Sequence, residues 1–233
     1  MCYLFFRRLV LCLSSAVACL LVILLIIRVN KFQVKSCVEE PDIASIVLPY
    51  EIPNTGLLLE HFVSYEGDFT ESDSGAFVTD AAAIIVENQG SHMILSAKIE
   101  MEIGDQIYTF EGTYIPAKSR IMLLEKNCKT YPTEPILRIG GRTQLVESLD
   151  VSQNLLVQAE DMGRITLTNI SDQSYTQLLI YHKGYIEEHN IYLGGITYTM
   201  PISSLQPGQS ETVFPEHFAC GYSKVLYITA GTS

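Results

Sequence analysis

The sequence predicts an all-β chain: an N-terminal transmembrane helix followed by two tandem Ig-like antiparallel β-sandwich domains. Three observations predict it. The run Leu9–Ile27 is 19 residues without a charge. Beyond it, short apolar runs alternate with polar residues at a period of two. Gly, Pro and Asn then divide these runs at intervals of 8–12 residues, the spacing of strands and turns in a sandwich.

The first element is the apolar run. At 1.5 Å per residue it spans about 28 Å, close to the thickness of bilayer hydrocarbon. Arg7 and Arg8 precede it, and Arg28, Lys31 and Lys35 follow. It ends on Arg28 without a small-residue cleavage step, so residues 9–27 are expected to be an uncleaved signal anchor rather than a secretory leader. Residues 1–8 are expected as a short cytoplasmic tail, with the C-terminal domains extracytoplasmic. Residues 28–57, punctuated by Pro41, Pro49, Pro53 and Gly56, read as a stalk, with a short strand at Ile46–Leu48 or a strand folded onto the first domain.

The charge is divided sharply. The whole chain has 15 basic and 26 acidic residues, a net of −11, yet residues 1–35 hold five of the basic residues and none of the acidic ones. Residues 36–233 therefore carry a net of −16. That balance excludes a nucleic-acid-binding surface, which needs clustered Lys and Arg. The basic flanks suit anionic headgroups, and the acidic body is held away from them.

Residues 58–128 are expected to form the first domain. In Lys98–Ile103 the apolar Ile99, Met101 and Ile103 alternate with Lys98, Glu100 and Glu102, which sets one face in a core and the other in water. Gly104-Asp105 marks a hairpin turn after this strand. Residues 129–233 are expected to form the second domain, with strands in 163–169, 175–184, 195–202, 210–218 and 223–230. The two domains read as copies. Asn88 and Asn169 each end a first strand, Tyr108-Thr109-Phe110 matches Tyr198-Thr199-Met200, and Ile115–Ser119 matches Leu205–Ser210. Asn to Tyr is 20 residues in the first copy and 29 in the second, and the nine-residue excess falls in 184–194.

A strand ending in Asn169, then Leu205, Pro207, Gly208 and Ser210 around a turn before the next strand, resembles bacterial extracytoplasmic Ig-like modules of the cell-adhesion-related and FxLYD types. In the first copy Pro116-Ala117-Lys118 stands where Pro-Gly would be expected. The resemblance implies a binding, spacing or adhesive module. It brings no catalytic residues.

Insertions often carry function. Tyr185, Glu187, Glu188, His189 and Tyr192 in the excess segment are therefore the candidate partner-binding residues, and an envelope or surface protein is the expected partner. Tyr offers contact area at low entropic cost. His182, Glu187 and His189 are a candidate metal set, weighed against a solvated loop. Asp68, Glu71 and Asp73 offer hard oxygen ligands for calcium, weighed against an acidic linker. No G-x-S-x-G, phosphate loop or dinucleotide fingerprint is present. The expected function is non-enzymatic, without a cofactor; the alternative is a carbohydrate-binding envelope module, with or without calcium, and an envelope hydrolase is the third reading. Asn169-Ile170-Ser171 is a glycosylation sequon in form, and a strand-end turn in the better reading.

Overall fold

The computed structural model describes residues 45–69, 76–146 and 150–230. All fall within one contact unit, Ser45–Ser233. The expected span Leu9–Ile27 and its flanks lie outside the described residues. Among those described, no helix is long and apolar enough to cross a membrane.

The described chain is all-β. Thirteen strands run in order: β1 (Tyr50–Ile52), β2 (Leu57–Asp68), β3 (Phe77–Asn88), β4 (Ile94–Ile103), β5 (Gln106–Ile115), β6 (Ser119–Leu124), β7 (Ile136–Leu145), β8 (Leu155–Glu160), β9 (Arg164–Asn169), β10 (Leu178–Ile186), β11 (Ile191–Ile202), β12 (Ser210–Val213) and β13 (Ser223–Ala230). The expected alternation in β4 is present: Ile99, Met101 and Ile103 are buried, while Glu100 is exposed. Gly104-Asp105 joins Ile103 to Gln106 as a two-residue turn, with Gly104 at φ 54° supplying the left-handed conformation it needs.

The strands form three sheets. Two are three-stranded, β5-β4-β7 and β12-β9-β8; the third has seven strands in the order β1-β2-β3-β6-β11-β10-β13. Two apolar cores lie between sheets, as in a sandwich. The first collects Leu57 and Leu59 of β2, Ile84 and Val86 of β3, Ile99 and Met101 of β4, and Phe110 of β5. The second collects Leu155, Ile165, Leu167, Leu178, Ile180 and Ile228. β7 lies in the span 129–233 that the sequence reading gave to the second domain, yet it pairs with β4 over nine positions, from Ile94↔Leu145 to Ile103↔Ile136. Residues 45–57 of the expected stalk also join the first core, through Ile46, Leu48, Tyr50 and Ile52.

The repeat shows in the pairing. β2-β3-β6 over β5-β4-β7 in the first half corresponds to β8-β9-β12 over β11-β10-β13 in the second. Asn88 and Asn169 do the same work in each copy. The Asn88 side-chain amide donates to the carbonyls of His92 (3.0 Å), Ile115 (3.1 Å) and Pro116 (3.1 Å), and its oxygen accepts from the Gly90 N–H (3.0 Å). The Asn169 amide donates to Gln173 (2.7 Å) and Leu205 (3.1 Å), and its oxygen accepts from the Ser171 N–H (3.0 Å). Both side chains are almost fully buried, so every polar atom needs its partner.

One detail of the sequence match shifts. Asn88 sits opposite Ser119, whereas the Asn169 N–H bonds the Gln209 carbonyl. Ser119 therefore corresponds to Gln209 rather than Ser210, and Lys118 corresponds to Gly208. Both are left-handed, at φ 53° and 72°. The first copy thus holds a lysine where the second has the glycine that such a φ favours.

Candidate functional site

The nine extra residues of the second copy decide how the halves meet. Met101 pairs with Tyr108 in the first half, and His182 pairs with Tyr198 in the second. Each of Met101 and His182 stands 13 residues after its Asn. The excess lies between His182 and Tyr198 and builds two features.

The first is a lengthened hairpin. Tyr185↔Tyr192 and Ile186↔Ile191 extend β10 and β11, closed by a one-turn 3-10 segment at Glu187–His189. Ile191, Tyr192 and Leu193 then pair in parallel with Arg120, Ile121 and Met122 of β6. This pairing welds the halves into the seven-stranded sheet; all the other strand pairs are antiparallel. Tyr192 is only 9% exposed and belongs to the first core. Tyr185 packs against it with ring centroids 5.1 Å apart, donates its hydroxyl to Asn190 Oδ1 (2.6 Å), and lies 4.4 Å beneath Lys224 Nζ. Burial holds the Tyr192 hydroxyl above the usual phenol range, and Tyr185 adds to the shift. Of these two tyrosines, both expected at an external interface, Tyr192 is buried in the first core and Tyr185 is half-buried against it. Glu187, Glu188 and His189 remain exposed at the tip.

The second feature is an arch. Leu193 pairs with Gly184 and Tyr198 with His182, so residues 194–197 stand opposite Lys183 alone. A bulge this wide cannot follow the strand and bends away. Lys183 is fully buried, and its Nζ donates to the carbonyls of Gly194 (2.9 Å) and Ile196 (2.6 Å). From the first half, Thr113 Oγ1 reaches the carbonyl between them, Gly195 (2.9 Å), and also Thr197 Oγ1 (2.9 Å). A tyrosine cluster lies at the same junction: Tyr114 of β5 sits 4.4 Å from Tyr181 and 6.1 Å from Tyr227, ring centre to ring centre. Burial first, then the bond to Tyr181, drives the Tyr114 hydroxyl far above the usual phenol range.

Under the arch lies an open groove of about 780 Å³. Its floor is the outer face of β5-β4-β7, laid out in cross-strand rungs. One rung is Thr113–Ser96–Gln144 and the next is Glu111–Lys98–Arg142. Gly195, Ile196 and Thr197 form the wall. Lys98 Nζ is held by Glu100 (2.8 Å), and Glu111 is held by Lys126 (2.8 Å). Arg142 is exposed and has no carboxylate within 4.0 Å among the described residues.

The remaining candidates do not converge. His182 is 1% exposed, stacked on Tyr198 at 5.5 Å and edge-on to Phe218 at 5.4 Å. The lengthened hairpin carries Glu187 and His189 out to the exposed tip, so the metal set His182, Glu187 and His189 is not assembled. Among the described residues no three His, Cys, Asp or Glu side chains are grouped to hold a metal. Asp68 is exposed at the end of β2, and Glu71 and Asp73 lie outside the described residues. Burial depresses the His182 imidazole to about 4, with His217 adding to the shift, and its Nδ1 has no hydrogen-bond partner among the described residues. Cys128 and Cys220 are both exposed and unbridged. The sequon asparagine is wholly buried with its amide engaged, as the strand-end reading expects.

The sequence missed the groove because its lining comes from β4, β5, β7 and β11, far apart in the chain. The only local signal is the pair Gly194-Gly195. No protein-family model, curated protein or solved structure matches this chain.

Proposed function

We propose that the chain is a membrane-anchored, extracytoplasmic binding or scaffold protein that acts by protein–protein contact and without catalysis. Residues 9–27 hold it in the membrane, and its two Ig-like β-sandwich modules face outward. The observation that carries this reading is the use of the inserted hairpin. An insertion that welds two repeats through β6 and β11 makes a stiff, continuous platform rather than two independent beads. A stiff body loses less entropy when a partner docks. The partner-facing part of the hairpin is its acidic tip, Glu187–His189, with Tyr185 and Tyr192 supporting it from beneath.

The test is crosslinking on intact cells with a membrane-impermeant reagent, followed by mass spectrometry of what the full-length protein captures. Recurrent capture of one or two envelope proteins, lost in Glu187→Lys/Glu188→Lys, supports the reading. Unlabelled outer lysines on intact cells would overturn the outward orientation, and capture unchanged by the charge reversal would overturn the role of the tip. Deleting 185–193 is not a clean test, since it also removes the β6–β11 pairing.

A second reading is favoured by the groove. Its hydroxyl and amide lining suits the polar surface of a glycan.

A further inference from the structure

We propose that the groove beneath the arch binds a saccharide carrying a carboxylate, with Arg142 as the group that recognises the acid. The proposal rests on the glycan-binding reading above and narrows it to acidic sugars.

The charge pattern of the floor carries the argument. Lys98 and Glu111 already have close counter-charges in Glu100 and Lys126. Arg142 has none within 4.0 Å among the described residues; Glu100, which lines the second hollow, acts on it only at longer range through its charge and is itself paired with Lys98 (2.8 Å). An exposed guanidinium keeps its donors for a ligand, and its planar fork matches a carboxylate in bidentate fashion. Arg142 also lines a second hollow of about 220 Å³ beside Gly140 and Gly141. A Cβ built on Gly140 would meet nothing within 4 Å, so the floor there is open. The two hollows share Lys98 and Arg142, and an extended ligand crossing from one to the other passes over the arginine.

The neighbouring rung supplies the rest of the recognition. Ser96 and Gln144 offer a hydroxyl and an amide that both donate and accept, while the Thr113 and Thr197 hydroxyls, whose protons are held within the arch, add acceptor lone pairs. Sugar hydroxyls need that mixture. An acidic peptide fits less well. The edge of β5 beside the groove is taken by the Lys126 N–H at the Thr109 carbonyl (2.9 Å) and by the Thr197 hydroxyl at the Thr113 carbonyl (3.0 Å), which leaves no uninterrupted run of β5 backbone for a strand to join. Ala97 turns its methyl into the first core and only Ile196 contributes an aliphatic side chain to the lining, so apolar peptide anchors have no pocket. The net charge of −16 over residues 36–233 works against a dense polyanion and favours a ligand with one carboxylate at the point of contact.

The experiment is titration calorimetry on the full-length protein in nanodiscs. The probes are a trisaccharide of two glucose units and one glucuronic acid, the neutral glucose trisaccharide of the same linkage, and a hexapeptide of glutamate. The expected result is that the uronate binds at least tenfold more tightly than its neutral counterpart. Arg142→Ala should weaken it tenfold or more at an unchanged melting temperature, and Arg142→Lys should restore part of the loss. Ser96→Arg, which fills the floor, should abolish binding. Equal binding of both sugars would overturn the role of Arg142 and keep the glycan reading. No binding of either sugar at millimolar concentration would overturn both. Binding of the glutamate peptide alone, lost in Arg142→Ala, would replace the saccharide by an acidic protein segment and overturn the proposal.

Discussion

Met101 and His182 occupy the same place in the two halves. Each lies 13 residues after the buried asparagine and pairs with a tyrosine, Tyr108 or Tyr198. Met101 is 0% exposed in the first core and His182 is 1% exposed in the second half. One side chain is a neutral gap-filler. The other has a ring nitrogen without a partner. The same contrast continues one residue on, where Glu102 of the first half is half-buried and paired with Arg138 at 3.9 Å, while Lys183 is buried and holds the arch. The scaffold tolerates both versions because the Asn caps and the sheet order are shared. The second copy places polar groups in its interior, and one of them, Lys183, holds the arch that meets the first.

This comparison can be broken most severely at the caps. Asn88→Ala would strand the buried carbonyl of Ile115 and remove the donor to those of His92 and Pro116, and Asn169→Ala would strand that of Leu205 and remove the donor to Gln173. Each should cost about 3–4 kcal/mol, since each unmet buried group costs about 1–3 kcal/mol. Urea unfolding of the two variants should give losses within about 1 kcal/mol of each other if the caps are equivalent.

The next effect depends on pH. The His182 imidazole titrates at about 4 in the fold against 6.5 in an open chain. The fold therefore favours the neutral ring. The stability tied to that preference is complete above pH 6.5 and is lost as pH falls from 6.5 through 4, by up to about 3 kcal/mol. Urea midpoints measured from pH 7.5 to 4 should show this slope. His182→Met, which copies the first half, should flatten it; a slope of equal size in the variant would place the acid sensitivity elsewhere.

Lys183→Met sharpens the comparison at the arch. It frees the carbonyls of Gly194 and Ile196 at a cost of about 2 kcal/mol, the range expected for orphaned buried acceptors. Amide exchange should accelerate at 194–197 while the first core stays protected. The smallest effect has the opposite sign. Lys118 holds φ 53° where Gly208 holds 72°. Lys118→Gly should therefore stabilise the first half by about 0.5–1 kcal/mol if relief of the left-handed strain outweighs the added chain entropy. Gly208→Lys should destabilise the second by a similar amount.

The strands were legible because their signals are local. Alternation in Lys98–Ile103 and the Gly104-Asp105 turn need only neighbouring residues, and the asparagines announce the repeat. Three things were not local. The place of β7 is settled by its pairing with β4 some 40 residues earlier, although its own sequence, with Gly140-Gly141, says little about which half it joins. Tyr192 looked like an interface residue from its place in the insertion, and only the parallel pairing with β6 reveals that its partner is the same chain. The groove is assembled from four strands of two repeats, and the arch that walls it depends on counting residues across a bulge.

The buried amide of Asn169 has a consequence for biosynthesis. An oligosaccharyltransferase needs the sequon nitrogen in an extended, accessible segment, and the finished protein presents neither. In any compartment with that enzyme, a glycan could be attached at Asn169 only before β9 and β12 have closed around it. Once attached, it would occupy the space of the Gln173 and Leu205 carbonyls and keep the turn from forming. A chain modified at that asparagine would carry a covalent record that it had lost the race between folding and modification, readable as a mass shift confined to the misfolded fraction.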